Sequence, residues 1–349
     1  MFIQVPAVLV VAACLAGQSG AGFWLWGPVR CPAIRTIGKS VKSAVFSTNS
    51  LRGYKHHTDT CPDTLNILIT VPELAKRLES EGIVVVDCRV NLLKPGAGRQ
   101  VWEEGHVPGA YYADLDKDLA APRRADSGRH PLPNSEDFAR LLGSWGITPA
   151  TQVIVYDDVG GAVAARLWWL LRWVGHAQVS LLDGGYPAWL AAGHPVDNQQ
   201  PEMSSGRYPV APGAMPTIDV DEVATGMEQS TLALIDARDV KRFAGLSEPI
   251  DVRAGHIPGA LNRPFQTNLN NNGYFLAPAA LRTQFDALLK GQETAHLACM
   301  CGSGVTACHN VLAMELAGVT ADSGAVAALY VGSWSEWIVS THRPCDPAD

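Results

Sequence analysis

Three short patterns occur twice in this 349-residue chain, in the same order and at similar spacing. An apolar run ending in Asp-x-Arg appears as Ile83-Val-Val-Val-Asp87-Cys88-Arg89 and again as Leu232-Ala-Leu-Ile-Asp236-Ala237-Arg238. Gly105-His106-Val107-Pro108-Gly109-Ala110 returns as Gly255-His256-Ile257-Pro258-Gly259-Ala260, 18 and 19 residues after the respective aspartates. Asp183-Gly-Gly-Tyr-Pro-Ala-Trp189 is answered by Gly332-Ser-Trp-Ser-Glu-Trp337. Ordered self-similarity of this kind means two copies of one domain, and the length suits two domains better than a single core.

Within each copy, short apolar runs alternate with helical segments. Val71 to Ser80, with Pro72 near its start, reads as a helix. Val153 to Tyr156 reads as a strand, followed by a helix from Ala164 to Trp173. Val179 to Leu182 and Ala327 to Val331 read as further buried strands. The alternation predicts an α/β fold in which each copy is a mostly parallel sheet with helices on both faces. The expected boundaries are residues 63–198 for the first domain and 217–343 for the second. Residues 199–216, rich in Pro, Gly, Ser and Gln, read as a linker, and 344–349 as a tail.

Residues 1–62 read as a leader, disordered or targeting. Phe2 to Gly17 is apolar but too short to span a membrane comfortably, and it lacks a basic start. Val11-Ala-Ala-Cys14 faintly resembles a lipoprotein cleavage site. Residues 1–58 hold no acid and several Arg and Lys, a composition like an organelle transit peptide. The expectation is no stable membrane insertion and a cytoplasmic location, with organelle targeting or export as the alternatives. A net charge of −7 argues against a nucleic-acid partner. The eight cysteines show no repeated spacing and three crowd one loop, which fits reduced thiols rather than a disulfide framework.

That loop is where chemistry concentrates. Ala295 to Met300 is a brief apolar strand; Gly302 and Gly304 open a tight loop; from Val305 apolar residues recur at Cys308, Leu312 and Leu316 as on a helix face. Gly318 supplies a helix stop. Cys301 therefore sits at a strand's carboxyl end and a helix's start, under backbone N–H groups that favour an anion and hence a thiolate. The first copy has Tyr156-Asp157-Asp158-Val159-Gly160-Gly161 at the matching place, without a cysteine, so it is expected to supply packing and a wall of the cleft. Arg166, Trp168, Trp169 and Trp173 are expected in core and interface.

The three repeated patterns, together with Gly128-Arg129-His130-Pro-Leu-Pro133, resemble the two-domain sulfurtransferases of the rhodanese superfamily over roughly Asn66 to Trp337. The loop Cys301-Gly302-Ser303-Gly304-Val305-Thr306 is similar to the 3-mercaptopyruvate branch; the thiosulfate branch carries Arg and Lys where this chain has Gly302 and Ser303. The resemblance implies sulfur transfer from 3-mercaptopyruvate through a Cys301 persulfide to a thiol, thioredoxin or cyanide, with thiosulfate as the alternative donor and no cofactor or metal. It implies Cys301 and Ser303 as catalytic residues. The amides from Gly302 through Gly304, Val305 and Thr306 would form an anion cradle, and Arg242 would bind the donor's carboxylate. The family's second arginine falls on Asp251 here, which leaves Arg253 as the nearest substitute. The family's relay histidine falls on His106, and no acid clearly orients it, Glu103 and Glu104 being near only in sequence. Both His106 and His256 have an equally good structural role, bracing the Gly-His-x-Pro-Gly turn.

Other classes fit less well. A Cys-x5-Arg phosphatase needs Arg at position 307, where the chain has Ala307. A zinc or redox-sensing module would use Cys299, Cys301, Cys308 and His309, but Cys-x-Cys is poor spacing for tetrahedral zinc, and Cys308 and His309 point to different helix faces. Cys299 and Cys301 alternate in phase along a strand, so Cys299 reads either as a small core residue or as a partner able to capture an oxidised Cys301.

Overall fold

The computed structural model describes residues 67–347, except 79–81, 91–93, 95, 293–295 and 320–325; the leader expected over 1–62 lies outside the described residues. The first copy runs β1 (Leu68–Ile69), α1 (Val71–Arg77), β2 (Ile83–Asp87), α2 (Ala97–Glu104), β3 (Tyr111–Tyr112), α3 (Ser135–Ser144), β4 (Gln152–Tyr156), α4 (Ala164–Trp173), β5 (Val179–Leu182) and α5 (Gly185–Ala191). The second runs β6 (Thr217–Ile218), α6 (Val220–Glu228), β7 (Leu232–Asp236), α7 (Val240–Phe243), β8 (Leu261–Asn262), a 3-10 turn (Phe265–Asn268), α8 (Pro278–Leu288), β9 (His296–Met300), α9 (Ala307–Leu316), β10 (Ala328–Tyr330) and α10 (Ser333–Trp337). The two five-stranded sheets have the same order, β1-β5-β4-β2-β3 and β6-β10-β9-β7-β8, and every pairing between the strands is parallel. The duplication in sequence is thus a duplication in topology.

Local chemistry starts the helices where they start. Thr70 and Asp219 each close a capping box, with Glu73 and Glu222 reaching back to the cap's backbone. Asn134 caps α3 through the amides of Glu136 and Asp137. Gly318 ends α9 at φ +64°, with Val319 N–H bonded to Met314 O at 2.8 Å, as the stop signal suggested.

The Asp-x-Arg repeat turns out to be a clamp. Arg238 Nε takes both oxygens of Asp236, and its Nη2 donates to Gly255 O at 2.8 Å. Arg89 does the same between Asp87 and Gly105 O, at 2.7 Å. Each arginine therefore ties the end of a central strand to the Gly-His-x-Pro-Gly turn, which explains why the two patterns recur together.

One hydrophobic cluster runs through both copies, and α4 and α9 meet inside it. Trp168 and Trp169 of α4 are fully buried. Burying a large side chain contributes roughly 1.5–3 kcal/mol, so these two alone stabilise that cluster substantially. An ion pair from Arg172 to Glu315 joins α4 to α9. The expected amphipathic face on α9 is therefore too narrow: Ala307 through Met314 are all buried, because the helix is wrapped by its own sheet and by the other copy. The linker is likewise no loose tether. Ser204, Tyr208 and Ala211 donate backbone bonds to Ser144, Ala139 and Val174 of the first copy, and Tyr208 is buried against His176. Among the described residues no helix is long and apolar enough to cross a membrane.

Candidate active site

β9 delivers Cys301 to the carboxyl edge of its sheet, and the loop folds back over it. Ser303 N–H and Gly304 N–H point at Cys301 Sγ at 3.4 and 3.1 Å. Of the cradle expected from Gly302 to Thr306, these two amides reach the sulfur; Val305 is buried beside them and Thr306 is the residue from which α9 departs. Gly304 is obligatory. It sits at φ +77°, and a Cβ there would stand 2.4 Å from Val331 O.

The Gly-Ser-Trp-Ser-Glu-Trp pattern holds this loop from beneath. Ser333 Oγ accepts from Cys301 N–H at 3.1 Å, and the amides of Trp334 and Ser335 donate to the carbonyls of Cys301 and Gly302 at 3.0 Å each. Ser333 does so at φ +54°, where the first copy has Gly185 at φ +57°. A serine there is strained backbone tied to a functional loop.

The first copy fills its own cradle. Asp157, at the position matching Cys301, accepts four backbone N–H bonds at 2.8–2.9 Å from Val159, Gly161, Val163 and Ala164. The loop architecture is kept, and a carboxylate held by four amides occupies the anion seat.

The first copy instead contributes through the loop Gly128-Arg129-His130. Gly128 packs so closely on Gly332 that a Cβ would lie 2.4 Å from its carbonyl oxygen. Arg129 N–H donates to Ser335 Oγ at 3.0 Å. This docking carries His130 to Ser303: His130 Nδ1 is 2.7 Å from Ser303 Oγ, and His130 Nε2 is 3.2 Å from Asp116 Oδ1. Burial, with Arg166 and Arg129 adding to it, pulls the His130 pKa down to about 4 against the opposing pull of Asp116. The imidazole is thus neutral at neutral pH. In that state Nε2–H donates to Asp116, leaving Nδ1 to accept from the Ser303 hydroxyl.

Two expectations are corrected here. His106 is not the histidine beside Ser303. It lies inside the first copy, fully buried, stacked on Trp102 at 4.4 Å, with Nδ1 2.8 Å from Trp102 O. His256 repeats this on Phe243, with Nδ1 2.8 Å from Phe243 O, so the repeated histidines brace the turn. Arg253 is not the second cation over the cysteine either. Its Nη1 donates to Arg343 O at 3.1 Å, and its own carbonyl accepts from Trp334 Nε1 at 2.9 Å. The second cation is Arg129. A Cβ on Gly302 would lie 2.8 Å from Arg129 Nη2 and 3.4 Å from Arg242 Nη2, so both guanidinium groups cover the residue next to Cys301. The signal for these residues was the Gly-Arg-His-Pro-Leu-Pro motif itself. Asp116 carried no comparable signal.

Arg166 completes the site from below. Wholly buried on α4, it donates from Nη1 to Gly304 O at 3.2 Å, and from Nη2 to His130 O at 3.1 Å and Leu119 O at 3.4 Å. It therefore braces the cysteine loop and the histidine loop at once. Cys308 is buried, its thiol on Gly304 O at 3.3 Å and its pKa pushed up to about 12 by burial. Cys299 is a core residue: its thiol contacts Met314 Sδ at 3.8 Å and burial raises its pKa. Among the described residues no group of three or more His, Cys, Asp or Glu side chains is arranged to hold a metal ion.

A model of the Rhodanese-like domain matches residues 70–192 and again residues 219–340. A probable 3-mercaptopyruvate sulfurtransferase from Pseudomonas aeruginosa is 46% identical over 284 residues, covering 81% of this chain and 98% of that protein. A putative thiosulfate sulfurtransferase from Mycobacterium tuberculosis is 36% identical over 80% of this chain and 96% of its own length. The structure of a 3-mercaptopyruvate sulfurtransferase from Leishmania major superposes with a TM-score of 0.68 at 28% identity, covering 79% of this chain and 75% of that one.

Proposed function

The chain belongs to the rhodanese family and is a sulfurtransferase, and from that premise we propose that it takes sulfur from 3-mercaptopyruvate through a persulfide on Cys301. The Cys301 thiolate attacks the donor's sulfur; the donor's carbon–sulfur bond breaks, and its electron pair leaves on carbon as the enolate of pyruvate. The proton that the donor thiol brought is transferred to that carbon. Pyruvate departs, and Cys301 carries the outer sulfur as an anion facing the amides of Ser303 and Gly304. Arg242 and Arg129 receive the carboxylate. An acceptor thiolate, small or on a protein such as thioredoxin, or cyanide, then removes the outer sulfur and regenerates the Cys301 thiolate.

The observation that carries the choice of donor is the chain Ser303–His130–Asp116. Neutral His130 takes the thiol proton by way of the Ser303 hydroxyl, is stabilised meanwhile by Asp116, and returns it to the enolate, so the relay begins and ends neutral. Thiosulfate has no proton to move, since it releases sulfite directly. A relay built beside the nucleophile has work only with the mercaptopyruvate donor. Gly302 and Ser303, at the loop positions nearest the sulfur, also bring no cation for a compact dianion.

The test is to assay wild type, Ser303→Ala and His130→Asn with both donors side by side. Loss of general acid–base help costs about 10²- to 10⁴-fold, so kcat/KM for mercaptopyruvate should fall by that order while thiosulfate use falls far less. A wild type that prefers thiosulfate, or variants that lose both donors equally, would refute this donor.

A further inference from the structure

Asp251 stands nine residues after Arg242, and its side chain is only 6% exposed. Both site cations hold it. Oδ1 accepts from Arg129 Nη1, and Oδ2 from Arg242 Nη2 at 3.1 Å. Glu248 takes the Nε–Nη2 edge of Arg242, accepting at 2.7–3.1 Å, so Nη2 serves both carboxylates. Glu248 also receives the amides of Ile250 and Asp251 at 3.1 Å, which shapes the turn that presents Asp251. The four formal charges of Arg129, Arg242, Glu248 and Asp251 cancel. An approaching anion thus meets a neutral entrance whose arginines are already engaged, contrary to what attraction of anionic donors asks for.

The segment that carries Asp251 is anchored at its ends and little packed between them. Gly245, at φ +71°, and Leu246 bond back to α7. Arg253 is held by Trp334 and Arg343. Along this segment the side chains of Leu246 and Val252 are 78% and 98% exposed, so the grip of the turn on the site comes chiefly from its carboxylates.

We infer that Asp251 is an internal stand-in for the donor's carboxylate and a specificity-determining residue. It occupies the Arg129–Arg242 clamp until a donor enters by exchanging one carboxylate for another. A donor with its own carboxylate replaces, bond for bond, the contacts Asp251 gives up. Thiosulfate lacks a carboxylate of matching shape and adds two negative charges to a neutral group of four, so Asp251 discriminates against it. The inference rests on the reading that Arg242 and Arg129 receive the donor's carboxylate.

Two measurements test it separately from that reading. The first is binding of pyruvate to Cys301→Ser protein with and without Asp251→Asn; removing the competing charge should tighten binding about tenfold or more. The second is steady-state kinetics. Asp251→Asn should lower KM for mercaptopyruvate by a similar factor and raise kcat/KM for thiosulfate by more than for mercaptopyruvate. Asp251→Ser should move both in the same sense, which covers misfolding of either single variant. If Asp251 merely positions the arginines, both variants bind pyruvate more weakly and the inference falls. It falls as well if the ratio of the two donors does not change. Should mercaptopyruvate leave no sulfur on wild-type Cys301, the donor assignment fails, yet the pyruvate comparison still reports on the clamp.

Discussion

At the scale of single residues, the loop after the strand does opposite things in the two copies, according to whether Asp157 or Cys301 stands at its start. Asp157 saturates its cradle with a carboxylate that needs nothing else; Cys301 leaves its cradle two donors and a nucleophile. Incubating wild type with donor and no acceptor should therefore add the mass of one sulfur atom, and Cys301→Ser should show neither that gain nor turnover. Intact mass measurement checks it, and activity surviving in Cys301→Ser would end the assignment. Cys299 and Cys308, packed in the core with raised pKa values, should gain no sulfur in the same spectrum.

At the scale of elements, α4 is the least expected contributor. Its sequence is a row of apolar residues around two arginines, Arg166 and Arg172, and core and interface membership was the expectation for Arg166. Burial is correct, but Arg166 satisfies three carbonyls on two separate loops, including Gly304 of the cysteine loop. Arg166→Leu keeps the volume roughly, takes this donor from Leu119 O and His130 O, and leaves Gly304 O with the Cys308 thiol. A buried acceptor without a partner costs about 1–3 kcal/mol, and relaxation recovers part of it, so unfolding free energy should drop by about 2–3 kcal/mol. Urea unfolding measures this. A variant as stable as wild type would show that the two loops hold without the brace.

For the whole molecule, the joint between the copies depends on uncharged histidine. His309 is fully buried on α9, with Nε2 3.0 Å from Gly160 O of the other copy, Nδ1 3.1 Å from Asn268 Nδ2, and its ring stacked on Phe275 at 4.6 Å. Burial holds its pKa down at about 4, against 6.5 when solvated. The unfolded chain therefore binds a proton between pH 6.5 and 4 that the folded chain refuses. Stability complete above pH 6.5 is lost as pH falls toward 4, at up to about 1.4 kcal/mol per pH unit for this one group. His130 adds to the loss in the same direction. Urea unfolding at pH 7.5 and 5 should show the drop, and His309→Gln should lessen its slope. An unchanged slope would mean that His309 does not titrate across the transition.

What the sequence determined by itself was whatever lies within one strand–loop–helix unit. The strand that ends at Cys301, the two glycines after it, the helix stop at Gly318 and the repeat of the entire pattern are statements about neighbours along the chain, which periodicity and local backbone freedom dictate. Arg242 was read from the family resemblance, and the structure sets its guanidinium over Gly302. What only the tertiary structure decided lies across the seam. Ser303 and His130 are 173 residues apart, and Arg129 and Asp251 are 122 apart. Which histidine meets the serine depends on how one domain docks on the other, through Gly128 on Gly332 and Arg166 under both loops. His106, matched by motif, was spent instead on bracing its own turn. Side chains that meet across two separately folded bodies are placed by the packing of those bodies, and no spacing along one chain encodes that placement directly.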